Sequence, residues 1–366
     1  MTPEHRTRSA ETFDGYVRDG RRAGIRNHVL VLPSVICSSI VAESIASAVP
    51  ETVCASHDHG CGQIGGDKRQ TRQTLVNIAE NPNVAGVVVV GLGCETLDSQ
   101  DIADDLSVPV RHTAIQTAGG TQAAIDNGIR AARDLVRQAG GGDGATVDFG
   151  ELTLGVATSD VSASTVGTVH PLVGELCRCV LNAGGRVVVG ATDALAAADG
   201  RAADLTADET VAARLTDLRE KVRAGPGSTA DGSVHTADFE ELFAGEPIRE
   251  VVPYGDQTTL EAGVAVVETA SAFEETATGL VAAGAQLVVH GTAAGIPTGH
   301  PLAPVVKVSA NPGTVAALTD DIDVDATEAQ PETLADRART VASGESTAAE
   351  KHGLAPFAIM RSGPSL

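Results

Sequence analysis

The run Val84-Ala85-Gly86-Val87-Val88-Val89-Val90, opening directly into Gly91-Leu92-Gly93-Cys94, constrains this chain more than any other stretch. A Val-rich segment without polar alternation is buried on both faces, the mark of a strand inside a parallel sheet covered by helices. The surrounding pattern agrees. Strands are expected at 28–35, 52–56, 84–90 and 110–116, with helices near 38–49, 68–80, 97–106 and 121–139. The glycine run Gly140-Gly141-Gly142-Asp143-Gly144 reads as a linker. The alternation then restarts with strand 152–158, helix 171–183, strand 186–191, an acidic Ala-rich helical region over 194–224, an exposed loop over 225–235, and strands 264–268, 286–290 and 305–309. The expected fold class is α/β, with two Rossmann-like parallel-sheet domains in tandem over 13–142 and 150–320. An acidic, partly helical tail over 321–366 packs on them, and residues 1–12 are expected to fray.

Length and composition support this. A chain of 366 residues favours two domains. Hydrophobic content of 42% supplies real cores, but aromatics are 2% and Trp is absent, so Val, Ala, Leu and Ile must fill them. A net charge of −22 argues against nucleic acid, which needs a basic face. Lysine occurs only at 68, 221, 307 and 351. Such a surface suits a halophilic, salt-rich cytoplasm, where a Debye length of about 3 Å at 1 M screens self-repulsion. No signal peptide is recognisable, and no apolar run approaches the roughly 20 residues of a spanning helix. A cytoplasmic, non-membrane protein with reduced thiols is expected. There, six cysteines (37, 54, 61, 94, 177 and 179) point to metal binding or catalysis before disulfides.

The chemistry-bearing residues follow the strands. Cys37, Cys61 in His57-Asp58-His59-Gly60-Cys61-Gly62-Gln63, and Cys94 beside Glu95 each sit just after a strand, where parallel sheets gather ligands at one edge. Three thiolates suit a soft or borderline metal, or three corners of an iron–sulfur cluster; small buried thiols filling core holes are the alternative. His57 and His59 alternate, so both could ligate or move protons, or simply line a polar loop. Glu95 reads as a base, a ligand or a helix-start neighbour. Arg18, Arg21, Arg22 and Arg26 match carboxylate geometry, as substrate partners or as intrachain ion pairs. The stretch that opens with His290 carries Thr292 and three glycines (Gly291, Gly295 and Gly299), and could cradle an anion with backbone amides or be a long surface turn. Lys307, inside the Val-rich strand Pro304-Val305-Val306-Lys307-Val308, is either paired or poised for chemistry. Gly91-Leu92-Gly93 is too short for a dinucleotide fingerprint, which leaves an NAD-type dehydrogenase a distant third reading.

These motifs resemble the altronate/galactarate dehydratase family, which also includes a sulfolactate sulfo-lyase large subunit. The resemblance runs through Gly15-Tyr16, Gly24-Ile25-Arg26-Asn27, Cys37, His59-Gly60-Cys61-Gly62-Gln63, Asn81-Pro82-Asn83, Gly91-Leu92-Gly93-Cys94-Glu95, Gln116 and Gly119-Gly120-Thr121. It returns in Gly291-Thr292, Gly299-His300-Pro301, Lys307 and Asn311. It implies a metal-dependent hydro-lyase acting on a sugar acid or related hydroxy-acid carboxylate, with Fe2+, an iron–sulfur cluster or Mn2+. On that reading Cys37, Cys61 and Cys94 hold the metal. His57, His59, Glu95 and Lys307 are the catalytic candidates, and Arg18, Arg26, Gln116, Thr292 and Asn311 bind substrate. The family's small β-rich N-terminal SAF domain has no counterpart here, so a separate small SAF-domain subunit is expected, along with homo-oligomerisation. The second half departs from the pattern. Val156 stands where the family has cysteine, Ala191 where it has glutamate, and Ala262-Gly263 where it has a Glu-Lys pair. A non-catalytic or regulatory paralogue subunit is therefore the alternative.

Overall fold

A computed structural model describes residues 12–140, 144–198, 202–224, 236–361 and 363. The chain opens with an antiparallel hairpin, β1 (Thr12–Arg18) and β2 (Arg21–Gly24). Next, β3 (His28–Pro33), β4 (Thr52–Cys54), β5 (Val84–Gly91) and β6 (Val110–Ala114) form a parallel sheet in the order β4-β3-β5-β6. β7 (Gly144–Asp148) returns to pair antiparallel with β1, Thr12 opposite Asp148. A seven-stranded parallel sheet follows, made of β8 (Thr153–Thr158), β9 (Arg186–Val189), β10 (Ile248–Val252), β11 (Gly263–Val267), β12 (Leu287–Gly291), β13 (Val305–Ser309) and β14 (Val324–Asp325). Its order is β10-β11-β9-β8-β12-β13-β14.

The expected α/β architecture with two parallel sheets is therefore present. Differences lie at its margins. The Arg- and Gly-rich lead-in is a hairpin, and the segment after the expected linker is a strand closing a third, three-stranded sheet β2-β1-β7. The tail adds β14 to the second sheet and helices Pro331–Ala342 and Ala348–His352 beyond it. Residues 1–11, Gly141–Asp143 within the linker and the loop over 225–235 lie outside the described residues. Among the described residues no helix is long and apolar enough to cross a membrane.

Side-chain alternation along each strand sorts the core into layers. Val29, Val31, Val88 and Val90 pack under helices Ile36–Ala48 and Thr121–Ala139. Leu30, Leu32, Val87 and Val89 point the other way. They join helices Gly65–Ala79 and Phe273–Ala282, and Val188, Ala265 and Val288 of the second sheet, in one apolar layer. The far face of that sheet, with Leu154, Val156, Val187 and Val289, is covered by helices His170–Asn182, Glu209–Ala224 and Pro331–Ala342. The two sheets thus share an interior.

Strand order also fixes where ligands can enter. In the first sheet the chain goes from β3 to β4 on one side and to β5 and β6 on the other. In the second it goes from β8 to β9–β11 on one side and β12–β14 on the other. At such reversals the connecting loops part and leave a crevice beyond the carboxyl ends of the strands. The two crevices lie between β3 and β5, and between β8 and β12.

Candidate active site

The first crevice gathers the thiols. Cys37 lies in the first turn of helix Ile36–Ala48, directly after β3; Cys61 lies on the loop after β4, and Cys94 on the loop after β5. All three are exposed, and Cys37 Sγ stands 3.8 Å from Cys61 Sγ. The Ile36 amide donates to the His59 carbonyl at 2.9 Å, tying the helix start to the His/Cys loop. Gly60 makes this approach feasible. Its φ is +102°, and a Cβ there would lie 2.8 Å from Val35 Cγ1 and 2.9 Å from the Ser34 carbonyl oxygen. The hydrogen bond to Cys61, then burial and the neighbouring sulfurs of Cys61 and Cys94, push the Cys37 thiol above its usual pKa. The Gln116 side chain, exposed, packs beside Gly93 next to Cys94.

Glu95 is built into this loop. Its carboxylate accepts from the amides of Leu92 (3.2 Å), Gly93 and Cys94 (2.9 Å), and from the Ser34 hydroxyl (3.2 Å). Burial alone would raise its pKa, but these donors and Ser99 outweigh that and hold it below the ordinary carboxylate range. Its lone pairs are occupied, so its chemistry is that of a loop anchor. A folded pKa below the unfolded one adds stability above about pH 4.3, which disappears as pH falls through the lowered value. Glu95→Gln, which turns a donor toward donors, is expected to cost about 1–2 kcal/mol at neutral pH. The difference from the parent protein should shrink as the medium is acidified below that range; urea denaturation at a series of pH values measures it, and a pH-independent difference would contradict the assignment.

The imidazoles are equally committed. His57 Nε2 donates to the Pro33 carbonyl (2.9 Å) and Nδ1 accepts from the His59 amide (3.2 Å). Burial, opposed by the Pro33 contact, lowers its pKa to about 4, which keeps it neutral. His59 Nδ1 accepts from the Gln63 side-chain amide (3.0 Å), and Nε2 donates to the Ile359 carbonyl (3.0 Å), with burial again lowering its pKa. Both rings therefore anchor a C-terminal strap, 354–361, whose Phe357 ring packs against His57 and His300 at 6.3 and 5.8 Å between centroids.

The donor set bears on a metal in a specific way. Two thiolates on one tetrahedral ion, with metal–sulfur bonds of about 2.3 Å, stand about 3.8 Å apart. Cys37 and Cys61 have that spacing. Among the described residues no group of three or more His, Cys, Asp or Glu is already arranged for an ion. The thiols thus fit a soft metal as a pair with Cys94 adjacent, whereas the imidazoles, engaged at both nitrogens, do not fit as ligands.

The expected substrate arginines are elsewhere. Arg18 donates to the Pro82 and Arg26 carbonyls and to Asn27 Oδ1. Arg26 forms a two-pronged pair with Glu350 (2.8 and 3.0 Å) and donates to the Val341 carbonyl. Both precede β3, whose six residues separate them from the thiols by about 20 Å. At that same amino-terminal end lies a cleft of about 560 Å³ lined by Arg21, Arg22 and Arg186 but also Glu80, Glu151 and Glu261.

The second crevice pairs His290 with Ser159, a residue that the sequence alone does not single out. Ser159, after β8, is hydrogen-bonded to Nε2 of His290 on β12. His290 is fully buried and stacks on Phe273 at 4.0 Å. Burial, then the Lys307 charge, drive its pKa down to about 3. Lys307, opposite His290 on β13, is buried, donates to the Thr298 carbonyl (3.0 Å) and has a pKa lowered by burial. His290 Nδ1, Thr158 Oγ1 and Thr298 Oγ1 are buried without a hydrogen-bond partner among the described residues. Thr292 Oγ1 accepts from the Gly295 amide, while Asn311 caps helix Pro312–Ala317 and donates to the Ala293 carbonyl. Thr292 and Asn311 therefore shape the loop. Only the adjacency of β8 and β12 joins Ser159 to His290, and spacing along the chain carries no trace of that.

The strap touches loops from both sheets, through the Ile359 carbonyl on His59 and the Phe357 ring beside His300.

Both halves of the chain match known proteins. Residues 15–140 match the model of the D-galactarate dehydratase/altronate hydrolase second domain, and residues 243–365 match that of the D-galactarate/altronate dehydratase C-terminal domain. The chain is similar to the (2R)-sulfolactate sulfo-lyase subunit beta of Chromohalobacter salexigens, 28% identical over 382 residues, covering 96% of this chain and 97% of that one. It is also similar to the altronate dehydratases of Bacillus subtilis (25% over 393 residues; 97% of this chain, 78% of that one) and Escherichia coli (24% over 405 residues; 100% and 81%). The matched segments contain all three crevice thiols as well as His290 and Lys307, and the chain belongs to the galactarate/altronate dehydratase family of lyases.

Proposed function

We propose that this chain is a metal-dependent lyase that eliminates water from a sugar acid or related hydroxy acid. The observation carrying it is the convergence of three exposed thiols on the crevice between β3 and β5. Cys37 and Cys61, with Cys94, would hold Fe2+, an iron–sulfur cluster or Mn2+, leaving coordination open toward solvent. When bound, such a metal supplies Lewis acidity toward the substrate's oxygens. The protein's own groups then orient the acid and move the proton. His57, His59 and Glu95 are committed to anchoring. Ser159, half-buried and hydrogen-bonded to a neutral His290, is on this reading the hydroxyl that passes a proton, and Lys307, opposite His290 on the neighbouring strand, supplies cationic or amine character. A small SAF-domain partner subunit is part of this proposal, supported by the relative that is named as a subunit beta, of which this chain covers 97%.

That end-to-end match favours a second reading, elimination of sulfite from a sulfonated hydroxy acid. The degenerate-subunit reading finds less support. Val156 points into the core on the far face of its sheet, Ala191 follows β9, and Ala262 precedes β11 at the opposite end, so the three altered positions do not share one crevice. Protein reconstituted anaerobically with iron and its small subunit should turn over at least one member of a panel of aldonates, aldarates and sulfolactate. Loss of water or release of sulfite separates the two readings, and no turnover on any member overturns both.

A further inference from the structure

We propose that Cys37 and Cys61 form a reversible disulfide, making the first crevice a thiol–disulfide modification site. Their sulfurs stand 3.8 Å apart. A disulfide needs about 2.05 Å, so the two must close by roughly 1.8 Å. The local backbone permits this. Cys61 sits between Gly60 and Gly62 on a loop, and Cys37 sits in the first turn of its helix, where side-chain rotation meets no preceding turn. Both thiols are exposed, so an oxidant reaches them directly. Cys177, by contrast, is buried with its sulfur against the Leu242 carbonyl.

The step balances with a small-molecule disulfide such as oxidised glutathione. One protein thiolate attacks a glutathione sulfur, breaking that S–S bond and expelling one glutathione thiolate. The second protein thiolate then attacks the mixed disulfide and expels the other. Two protein thiols are oxidised, one glutathione disulfide is reduced to two thiols, and the protein's two protons pass to solvent or the released thiolates. A bridged pair offers no thiolate, so the oxidised chain could not hold a metal at this site. That consequence rests on the proposed function; the bridge itself rests only on the geometry.

The test is oxidised glutathione added to the metal-free full chain, followed by intact mass and peptide mapping. The expected product is lighter by two hydrogens, carries a cross-linked peptide pair joining Cys37 to Cys61, and reverts with dithiothreitol. Free thiols after unfolding should fall from the six of the sequence to four. Cys37→Ser and Cys61→Ser should each instead retain one glutathione on the remaining thiol. No bridge in metal-free protein, or a bridge through Cys94 instead, overturns the proposal. Repeating the reaction with zinc present keeps the two ideas apart. Slowed bridging supports both, whereas unchanged bridging leaves the disulfide standing and counts against the metal assignment alone.

Discussion

Replacing Asn83 by alanine should destabilise the protein by about 3–5 kcal/mol. Asn83 is fully buried where the hairpin and the two sheets meet. Its Oδ1 accepts from the Ile25 and Arg26 amides (2.9 and 3.2 Å), and its Nδ2 donates to the Gln286 and Leu302 carbonyls (2.8 and 2.9 Å). Truncation strands four backbone groups in a region with little water access. Each stranded group costs about 1–3 kcal/mol, with partial relaxation keeping the total below the sum. Asn83→Asp should be at least as harmful, because it turns two donors into acceptors facing carbonyls. Thermal and urea denaturation in matched salt measure both, and a loss below about 1 kcal/mol would falsify this account of the seam.

Serine in place of Cys61 should lower affinity for zinc or iron(II) by about 100-fold or more, since even removing a supporting group around a metal costs 10–100-fold. Serine preserves size while replacing a soft thiolate with a hydroxyl that stays protonated. Cys54→Ser is the control. Burial, then Glu43, push the Cys54 thiol up to about 12, so it stays protonated at the end of β4, and its replacement should leave affinity unchanged. Competition with a chelator of known affinity reads the difference. Equal effects of the two substitutions, or none from Cys61→Ser, would remove the thiols from the metal site.

The alternating βα pattern was legible because its strands are buried on both faces, so hydrophobicity alone marks them; Val84–Gly91 and Val305–Ser309 appear almost to the residue. The parts that escaped have physical reasons. Helix Phe273–Ala282 has eight of its ten residues buried, so it lacks the polar face that makes a helix periodic. β1 finds its partner β7 about 130 positions later, and nothing local in an Arg- and Gly-rich segment reports such a pairing. At the site, the convergence of Cys37 and Cys61 was readable because both follow parallel strands. The roles of the imidazoles were not. His59 and Ile359 are 300 positions apart, and an anchoring histidine has the same letter as a catalytic one. Arg18 and Arg26 fall in the same class: their guanidinium forks meet backbone carbonyls and Glu350, partners that only the folded chain supplies.

The strap also imposes a timetable. The loop carrying His57, His59 and Cys61 leaves the ribosome 300 positions ahead of the Ile359 carbonyl that holds it. During synthesis that loop waits unfastened until the strap emerges. A cut just ahead of the strap therefore loosens the thiol-bearing loop from a distant point of the polypeptide.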